Sequence, residues 1–205
     1  MHISEGVLSG PVLISGMAIA AAGTAIGIKK LDLEHIARAG VLSAAFFVAS
    51  LIHVPVGPAS VHLILNGIIG LLLGWGAFPT IMVALLLQVV FFQFGGLTTL
   101  GVNTVIMALP AVVCYYLFTP LIMRRPAIAL PAAFFCGFLA VFFSALLLGI
   151  SLMFTEENFF EVAVLAISAH LPVMVIEGII TVFCLNFLKK VSPELLSVSS
   201  SGDRM

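Results

Sequence analysis

Charged residues are scarce in this sequence. Only 8% of its 205 residues are Asp, Glu, Lys or Arg, whereas a soluble domain carries about 25%. The formal net charge is −1 and no basic patch is present, which excludes a nucleic-acid-binding surface. Hydrophobic residues instead make up 62% of the chain, and the mean hydropathy is +1.29. The composition therefore excludes a soluble globular domain and predicts a protein of the lipid bilayer.

The sequence also lacks the motifs of several common catalytic classes. Its three cysteines, Cys114, Cys136 and Cys184, lie apart inside apolar runs without a CxxC pair, so no disulfide framework is indicated. No GxxxxGK[ST] sequence occurs, and we infer that the chain does not hydrolyse ATP itself. The HExxH and GxSxG sequences are absent as well. These absences predict a protein that is not an enzyme.

Long apolar runs are what the sequence has in abundance. At about 20 residues per crossing, seven runs predict an all-α fold, a polytopic membrane protein with a seven-transmembrane-helix bundle. Residues 1–190 then form a single transmembrane domain, and residues 191–205, which are rich in Ser, form a short, poorly ordered cytoplasmic tail. The runs are 8–28, 37–54, 60–76, 77–94, 103–123, 127–154 and 161–188.

The basic residues predict the orientation of the bundle. They fall into four places: Lys29 and Lys30 with Arg38, Arg124 with Arg125, Lys189 with Lys190, and Arg204. With seven crossings and an outer N-terminus, all four places are cytoplasmic, as the positive-inside rule requires. The acidic loop with Glu156, Glu157 and Glu161 then lies outside. We therefore predict an N-terminus outside and a C-terminus in the cytoplasm.

The chain opens with Met1-His2, a dipeptide that can chelate one metal ion. The α-amine of Met1 with the amide nitrogen and imidazole of His2 form two fused rings. A deprotonated amide favours tetragonal or square-planar ions, which are Ni(II) or Cu(II) by preference, with Co(II) feasible. The first apolar run lacks a basic n-region and is preceded by Glu5, so we expect no cleaved signal peptide and a mature chain that starts at Met1. The alternative is an ordinary exposed terminal histidine.

A fourth ligand is needed, and His53 and His62 are the candidates on the outer side. His62 is expected two residues into the third helix. The seven residues before the first helix span at most roughly 23 Å, enough to fold into the bundle and meet His62. His53 is expected at the end of the second helix, either as an interface residue or as a hydrogen-bond donor behind the ligands.

His170 and Glu177 are the other polar residues predicted to lie within the membrane. They stand two helical turns apart and so share one helix face. Ionisable groups at this depth are costly and usually functional. They could line the space under the metal site, relay protons in a secondary transporter, or form a structural hydrogen-bonded pair. The sequence leaves these three interpretations open.

Two further features could serve the site or a partner. The glycine-rich loop Gly95–Gly101 is expected outside the membrane, as a lid over the site, with Asn103 capping the fifth helix. Ala45 and Ala49 stand four residues apart on the second helix, a spacing of small residues that lets another helix approach closely. Packing inside the bundle is the alternative account of this second feature.

Several stretches together resemble the CbiM/NikM family, the substrate-binding subunits of energy-coupling-factor transporters for cobalt and nickel. They are Met1–Gly6, Val56–Gly67 with Leu73–Trp75, Gly95–Asn103 and Ala169–Gly178. The resemblance runs from Met1 to about Lys190 and implies a seven-helix bundle into which the N-terminal segment inserts. It also implies a metal held by the Met1 amine, the His2 amide and imidazole, and a histidine matching His62. Divalent cobalt or nickel would be the transported substrate, with no organic cofactor.

The same resemblance implies partners. Members of this family work with a transmembrane coupling subunit and cytoplasmic ABC-type ATPase subunits, and some pair with a small extra membrane protein. The face of Ala45 and Ala49 resembles the surface that such partners dock on. We therefore predict a subunit of the bacterial or archaeal cytoplasmic (inner) membrane that captures cobalt or nickel outside and delivers it inward. One alternative is a self-contained metal/proton secondary transporter that uses His170 and Glu177. Another is an intramembrane enzyme or assembly factor, for which the sequence offers no convincing nucleophile within a cluster of catalytic groups.

Overall fold

The helices of the computed structural model follow the apolar runs except in one segment. The structure describes residues 2–51, 53–56, 59–155 and 160–193, leaving aside the side chains of residues 34, 53–56, 59 and 60. Met1, Glu156, Glu157 and most of the predicted tail, from residue 194 on, lie outside the described residues. The helices are α1 Gly10–Lys30, α2 Leu33–Ala49, α3 Asn66–Leu73, α4 Ala77–Phe92, α5 Leu100–Arg124, α6 Ala129–Met153, α7 Phe160–Ala169 and α8 Leu171–Val191.

Within these described ranges, five helical segments are long and apolar enough to cross a membrane. They are Gly10–Lys30, Asn66–Phe92, Leu100–Arg124, Pro126–Met153 and Phe160–Val191. A shorter apolar helix covers His35–Ala49. The chain is therefore a multi-pass protein of the cell membrane, whereas the count of seven crossings and the orientation of the termini stay predictions.

The expectation of a helix over residues 60–76 is wrong in its first part. Strand β1, His53–Val56, pairs antiparallel with strand β2, Ala59–His62, and the main chains of His53 and His62 lie opposite each other. Pro55 drives the preceding residue out of the helical region, and the valines around it favour extended backbone. The fold is thus helical with one added hairpin. His53 lies in a strand instead of ending a helix, and His62 ends a strand instead of lying inside a helix.

Helix α3 is a short helix at the centre of the bundle. It has eight residues, all of them buried, and at about 12 Å it is too short to span the membrane alone. It packs against α5, α6 and α8, and a 3₁₀ turn over Gly74–Gly76 joins it to α4. The side-chain amide of Asn66, its first residue, donates to the Met107 carbonyl at 3.1 Å and to Ser144 Oγ at 2.9 Å. These bonds fix the start of α3, and with it the connection from His62.

Small residues bring α1 against α5. A Cβ atom added to Gly16 would lie 2.9 Å from the Val102 Cα, and one added to Gly101 would lie 2.5 Å from the Met17 Cα. Only glycine allows main chains to approach this closely. The contact holds the beginning of α1 near the beginning of α5, so the residues that precede α1 lie beside the glycine-rich loop that precedes α5.

Pro172 lies where the last apolar run is interrupted. Helix α7 ends at Ala169 and α8 begins at Leu171, with Pro172 in its first turn, where a proline sacrifices no helical hydrogen bond. His170 lies at the junction and Glu177 lies two turns into α8. Both side chains are fully buried, so Glu177 points from α8 into the bundle and His170 is enclosed at the junction before it.

Candidate metal centre

The N-terminal segment enters the bundle and buries the imidazole of His2. His2 is 4% exposed and the next residue, Ile3, is fully buried. The main-chain N–H of Glu5 donates to the Gly95 carbonyl at 3.2 Å, so the segment lies against the glycine-rich loop. A histidine near a chain terminus would ordinarily be solvated. Here the fold encloses it.

Asn103 holds this segment by its main chain. Its Oδ1 accepts from the N–H of Ile3 at 2.9 Å, and its Nδ2 donates to the carbonyl of Ile3 at 3.1 Å. The expectation that Asn103 caps the fifth helix is wrong, because α5 begins earlier, at Leu100 with Thr99 before it. The side-chain amide instead occupies both hydrogen-bonding groups of the residue that follows His2, and so fixes where His2 lies.

Gly95 allows the loop to approach the same place. Its φ is +78°, and an added Cβ would lie 3.0 Å from Asn103 Nδ2 and 3.6 Å from His2 Cδ2. Backbone conformation and space both call for glycine here. The loop therefore lies against the N-terminal segment, and its role as a lid stays a prediction.

His62 lies at the end of β2, and one of its ring nitrogens is engaged in a hydrogen bond. Its Nδ1 lies 2.7 Å from the Leu63 carbonyl. Because a carbonyl only accepts, Nδ1 carries the proton and Nε2 carries the lone pair. Burial lowers the pKa of the imidazole from 6.5 to about 4, although the bond to Leu63 opposes this. The ring is therefore neutral at physiological pH, which is the form that binds metals.

One ring nitrogen of His2 is likewise engaged in a hydrogen bond. Its Nε2 lies 2.6 Å from Oε1 of Gln88, a fully buried residue of α4. The amide oxygen accepts, so Nε2 of His2 carries the proton and Nδ1 carries the lone pair. Sequence reasoning missed Gln88, although an amide inside an apolar run was an available signal, since a polar group there needs a partner.

The two remaining nitrogens face each other. His62 Nε2 lies 3.0 Å from His2 Nδ1. Metal–nitrogen bonds of about 2.0–2.1 Å place neighbouring nitrogens of a square-planar complex roughly 2.9 Å apart, close to the observed separation. Nδ1 is also the ring nitrogen that can close a chelate ring with its own main-chain amide. In metal sites the second nitrogen of a ligating histidine usually donates to a carbonyl or carboxylate, and both rings satisfy this condition.

Glu177 supports the connection between His62 and α3. Its Oε1 accepts from the N–H groups of Ile64 at 2.5 Å and Leu65 at 2.8 Å. Leu65 adopts a left-handed conformation with φ +55°, which costs a non-glycine residue about 1–2 kcal/mol. The carboxylate thus stabilises the turn that presents His62. In the part of the chain that the structure describes, Glu177 Oε2 has no hydrogen-bond partner.

His170 lies at the α7–α8 junction with its Nδ1 2.6 Å from the Ala166 carbonyl. Its Nε2 is buried and has no hydrogen-bond partner among the described residues. The structural pairing of His170 with Glu177 that the sequence left open is therefore not present as a direct hydrogen bond. The position of His53 relative to the site is described by its main chain alone, which pairs with His62.

Side chains alone do not complete a metal site. Across the described ranges, no three His, Cys, Asp or Glu side chains converge as a metal-binding group. Two imidazole nitrogens must therefore be supplemented by main-chain nitrogens if a four-coordinate ion is to be held. The amide of His2 and the α-amine of Met1 are the groups adjacent in sequence, and Met1 lies outside the described residues.

Comparison with known proteins extends over almost the whole chain. A family model described as "CbiM: Cobalt uptake substrate-specific transmembrane region" matches residues 2–195. A Haemophilus influenzae protein that carries the provisional name of metal transport protein is 42% identical over 200 residues, which cover 96% of this chain and 97% of that protein. The cobalt transport protein CbiM of Sorangium cellulosum is 31% identical over 212 residues, with 96% and 94% covered. A crystal structure of a transition metal transporter superposes with a TM-score of 0.81 at 25% identity and covers 93% of both chains.

Proposed function

The chain belongs to the CbiM family, and from that premise we propose that it is the metal-binding membrane component of a cobalt or nickel transport system. Its relatives are metal transport proteins and not enzymes. The observation that carries the proposal is the 3.0 Å approach of His2 Nδ1 to His62 Nε2. Each of these nitrogens belongs to a ring whose other nitrogen donates to an oxygen.

In this proposal the ion is held by four nitrogens. They are the α-amine of Met1, the amide and Nδ1 of His2, and Nε2 of His62. Such a set selects late first-row ions over Mg²⁺ and Ca²⁺, which prefer oxygen ligands. A planar arrangement also disfavours Zn²⁺, which prefers tetrahedral sites. Cobalt and nickel both suit it and are the substrate of the protein.

Residues behind the ligands keep them in place. Asn103 holds the segment that carries His2, and Glu177 holds the turn after His62. His53 pairs by its main chain with His62, so the first strand of the hairpin supports the strand that carries the ligand. His170 is buried at the α7–α8 junction, two helical turns before Glu177. We assign these residues to the support and lining of the site.

Transport then requires partners. The chain has no nucleotide-binding motif, so a transmembrane coupling subunit and cytoplasmic ABC-type ATPase subunits supply the energy, with a small extra membrane protein in some systems. The ion enters from the outer side, where the positive-inside rule places the N-terminus. Ala45 is exposed and Ala49 is half-buried on α2, so this small-residue face is available for the coupling subunit.

A self-contained metal/proton secondary transporter is the second candidate function. Its support is the pair of buried atoms His170 Nε2 and Glu177 Oε2, which have no hydrogen-bond partner within the described residues. Groups of this kind commonly carry protons or ions through membranes. This candidate predicts metal uptake without ATPase partners, and loss of that uptake in Glu177→Gln.

The proposed site is tested by extending the chain. Native-start protein and a variant with one extra residue before Met1 are purified in nanodiscs, and Ni(II) and Co(II) binding is measured by calorimetry. We expect one equivalent to bind to the native start and binding to collapse in the extended variant, because the extension removes the free amine next to His2. Equal binding by both proteins would refute the N-terminal chelate. Uptake of radioactive nickel into proteoliposomes without ATPase subunits would support the second candidate.

A further inference from the structure

The side chains of Ser50 and Gln88 form a fully buried chain that ends at His2. Ser50 Oγ donates to the Phe47 carbonyl at 2.8 Å, and Gln88 Nε2 donates to Ser50 Oγ. Gln88 Oε1 in turn lies 2.6 Å from His2 Nε2. The chain therefore runs from a main-chain carbonyl of α2, through α4, to the imidazole that faces His62.

Donor and acceptor roles along this chain are determined from its α2 end. The Phe47 carbonyl can only accept, so the hydroxyl proton of Ser50 points toward it. Ser50 Oγ must then accept from its other neighbour, which requires the NH₂ group of Gln88 on that side. The oxygen of the amide is left facing His2, and the proton of the ring must lie on Nε2.

The opposite orientation of the Gln88 amide would block the site. An NH₂ group facing His2 requires Nε2 to accept, and the proton of the neutral ring would then move to Nδ1. A protonated Nδ1 would donate to His62 Nε2, which it faces at 3.0 Å, and could not bind a metal ion. Ser50 disfavours this orientation, because its hydroxyl would have to leave the carbonyl of the half-buried Phe47, and that hydrogen bond would be lost.

We propose that Ser50 and Gln88 are positioning residues that set the tautomer of His2, and thereby make Nδ1 the metal-binding nitrogen. This inference rests on the proposed function. Ser50 is also the residue at which α2 ends, since its N–H donates to the Phe46 carbonyl at 3.0 Å. The tautomer of His2 is thus tied to the position of the end of α2, the helix that carries Ala45 and Ala49.

The experiment reads the tautomer directly. Native-start protein labelled with ¹⁵N-histidine is studied without metal by NMR in nanodiscs, and Ni(II) affinity is measured in parallel. The variants are Ser50→Ala and Gln88→Leu, which break the chain, and Gln88→Glu, which keeps an acceptor oxygen toward His2. Ser43→Ala is the matched control, because Ser43 is also a buried serine of α2 and its hydroxyl has no hydrogen-bond partner within the described residues.

We expect the Nε2–H form of His2 in the native protein, in Ser43→Ala and in Gln88→Glu. Ser50→Ala should give a mixture of tautomers, and Gln88→Leu should lose the preference, with Ni(II) affinity lowered about 10- to 100-fold, the usual effect of residues behind a metal ligand. An unchanged tautomer in both Ser50→Ala and Gln88→Leu would overturn the inference. If the native protein shows the Nε2–H form but binds no metal, the proposed function fails while the tautomer result still decides the role of Ser50 and Gln88.

Discussion

Replacing Asn103 tests whether metal affinity depends on how the N-terminal segment is held. Asn103→Leu removes both hydrogen bonds to Ile3 while keeping an apolar side chain of similar size. Each bond contributes about 0.5–1.5 kcal/mol net. The substitution therefore removes about 2 kcal/mol of the interaction free energy that holds His2 in its binding position. At about 1.4 kcal/mol per tenfold change, the Ni(II) affinity should fall roughly 30-fold. Asn103→Asp should be at least as harmful, because it sets a carboxylate oxygen against the Ile3 carbonyl.

The assay is calorimetric titration of native-start protein in nanodiscs with Ni(II), with thermal melting as a check on folding. Thr104→Val is the matched control, since Thr104 is the next residue of α5 and is also buried. Its hydroxyl donates to the Leu100 carbonyl of its own helix at 2.8 Å. This bond lies within α5 and shares no partner with the N-terminal segment, so its loss should leave the affinity within about twofold.

A native-like affinity in Asn103→Leu would refute the reasoning. It would mean that the metal itself, or the contact of Glu5 with the glycine-rich loop, is sufficient to place His2. An equal loss in Asn103→Leu and Thr104→Val would instead show that any polar change in α5 weakens binding, and the specific role of Asn103 would be wrong.

Two further changes test the supports of the site. Glu177→Ala leaves the buried N–H of Ile64 and the half-buried N–H of Leu65 without an acceptor and should lower the free energy of unfolding by about 2–5 kcal/mol. Glu177→Gln keeps an acceptor oxygen and should lose less. Equal losses of the two variants in denaturation curves would contradict this reasoning. Gly67→Ala places a Cβ 2.7 Å from the Cα of the facing glycine of α6 and should destabilise by about 1–3 kcal/mol. Gly40→Ala, where a Cβ meets nothing within 4 Å, should be neutral in the same melting assay, and a similar loss there would show that packing against α6 is not the cause.

The class of protein and the pairing of its two candidate ligands could be predicted from sequence because each rests on a local fact. Low charge and long apolar runs suffice to indicate membrane helices. Met1-His2 is a chelating dipeptide wherever the chain places it, and the seven residues before the first predicted helix are long enough to reach the bundle. From the residues alone both His53 and His62 stayed candidates, and the family resemblance favoured His62. His62 was within reach in the sequence, and the structure brings the two rings together.

The hairpin and the supports could not be predicted because they depend on contacts between distant segments. Valine-rich residues before α3 fit a buried strand as well as a helix, and a short apolar run does not distinguish the two. Asn103 was expected to serve its own helix, yet its partner is Ile3, a hundred residues away. For Gln88, polarity within an apolar run indicates the need for a partner but does not identify it as His2.

The residues that hold His2 and His62 in place come from different helices, which affects how a bound ion would leave the site. His2 is held by Gln88 of α4 and Asn103 through Ile3, whereas His62 is held by the turn that Glu177 of α8 stabilises. In the proposed site three of the four nitrogens belong to Met1-His2 and move together. The fourth is Nε2 of His62, which is held separately. A movement of α8 that withdraws Glu177 would therefore loosen the turn of His62 first, while the bond of Asn66 to the Met107 carbonyl keeps α3 against α5. The ion would keep three ligands and gain an open position, so release could begin by exchange at that position without unfolding the chelate.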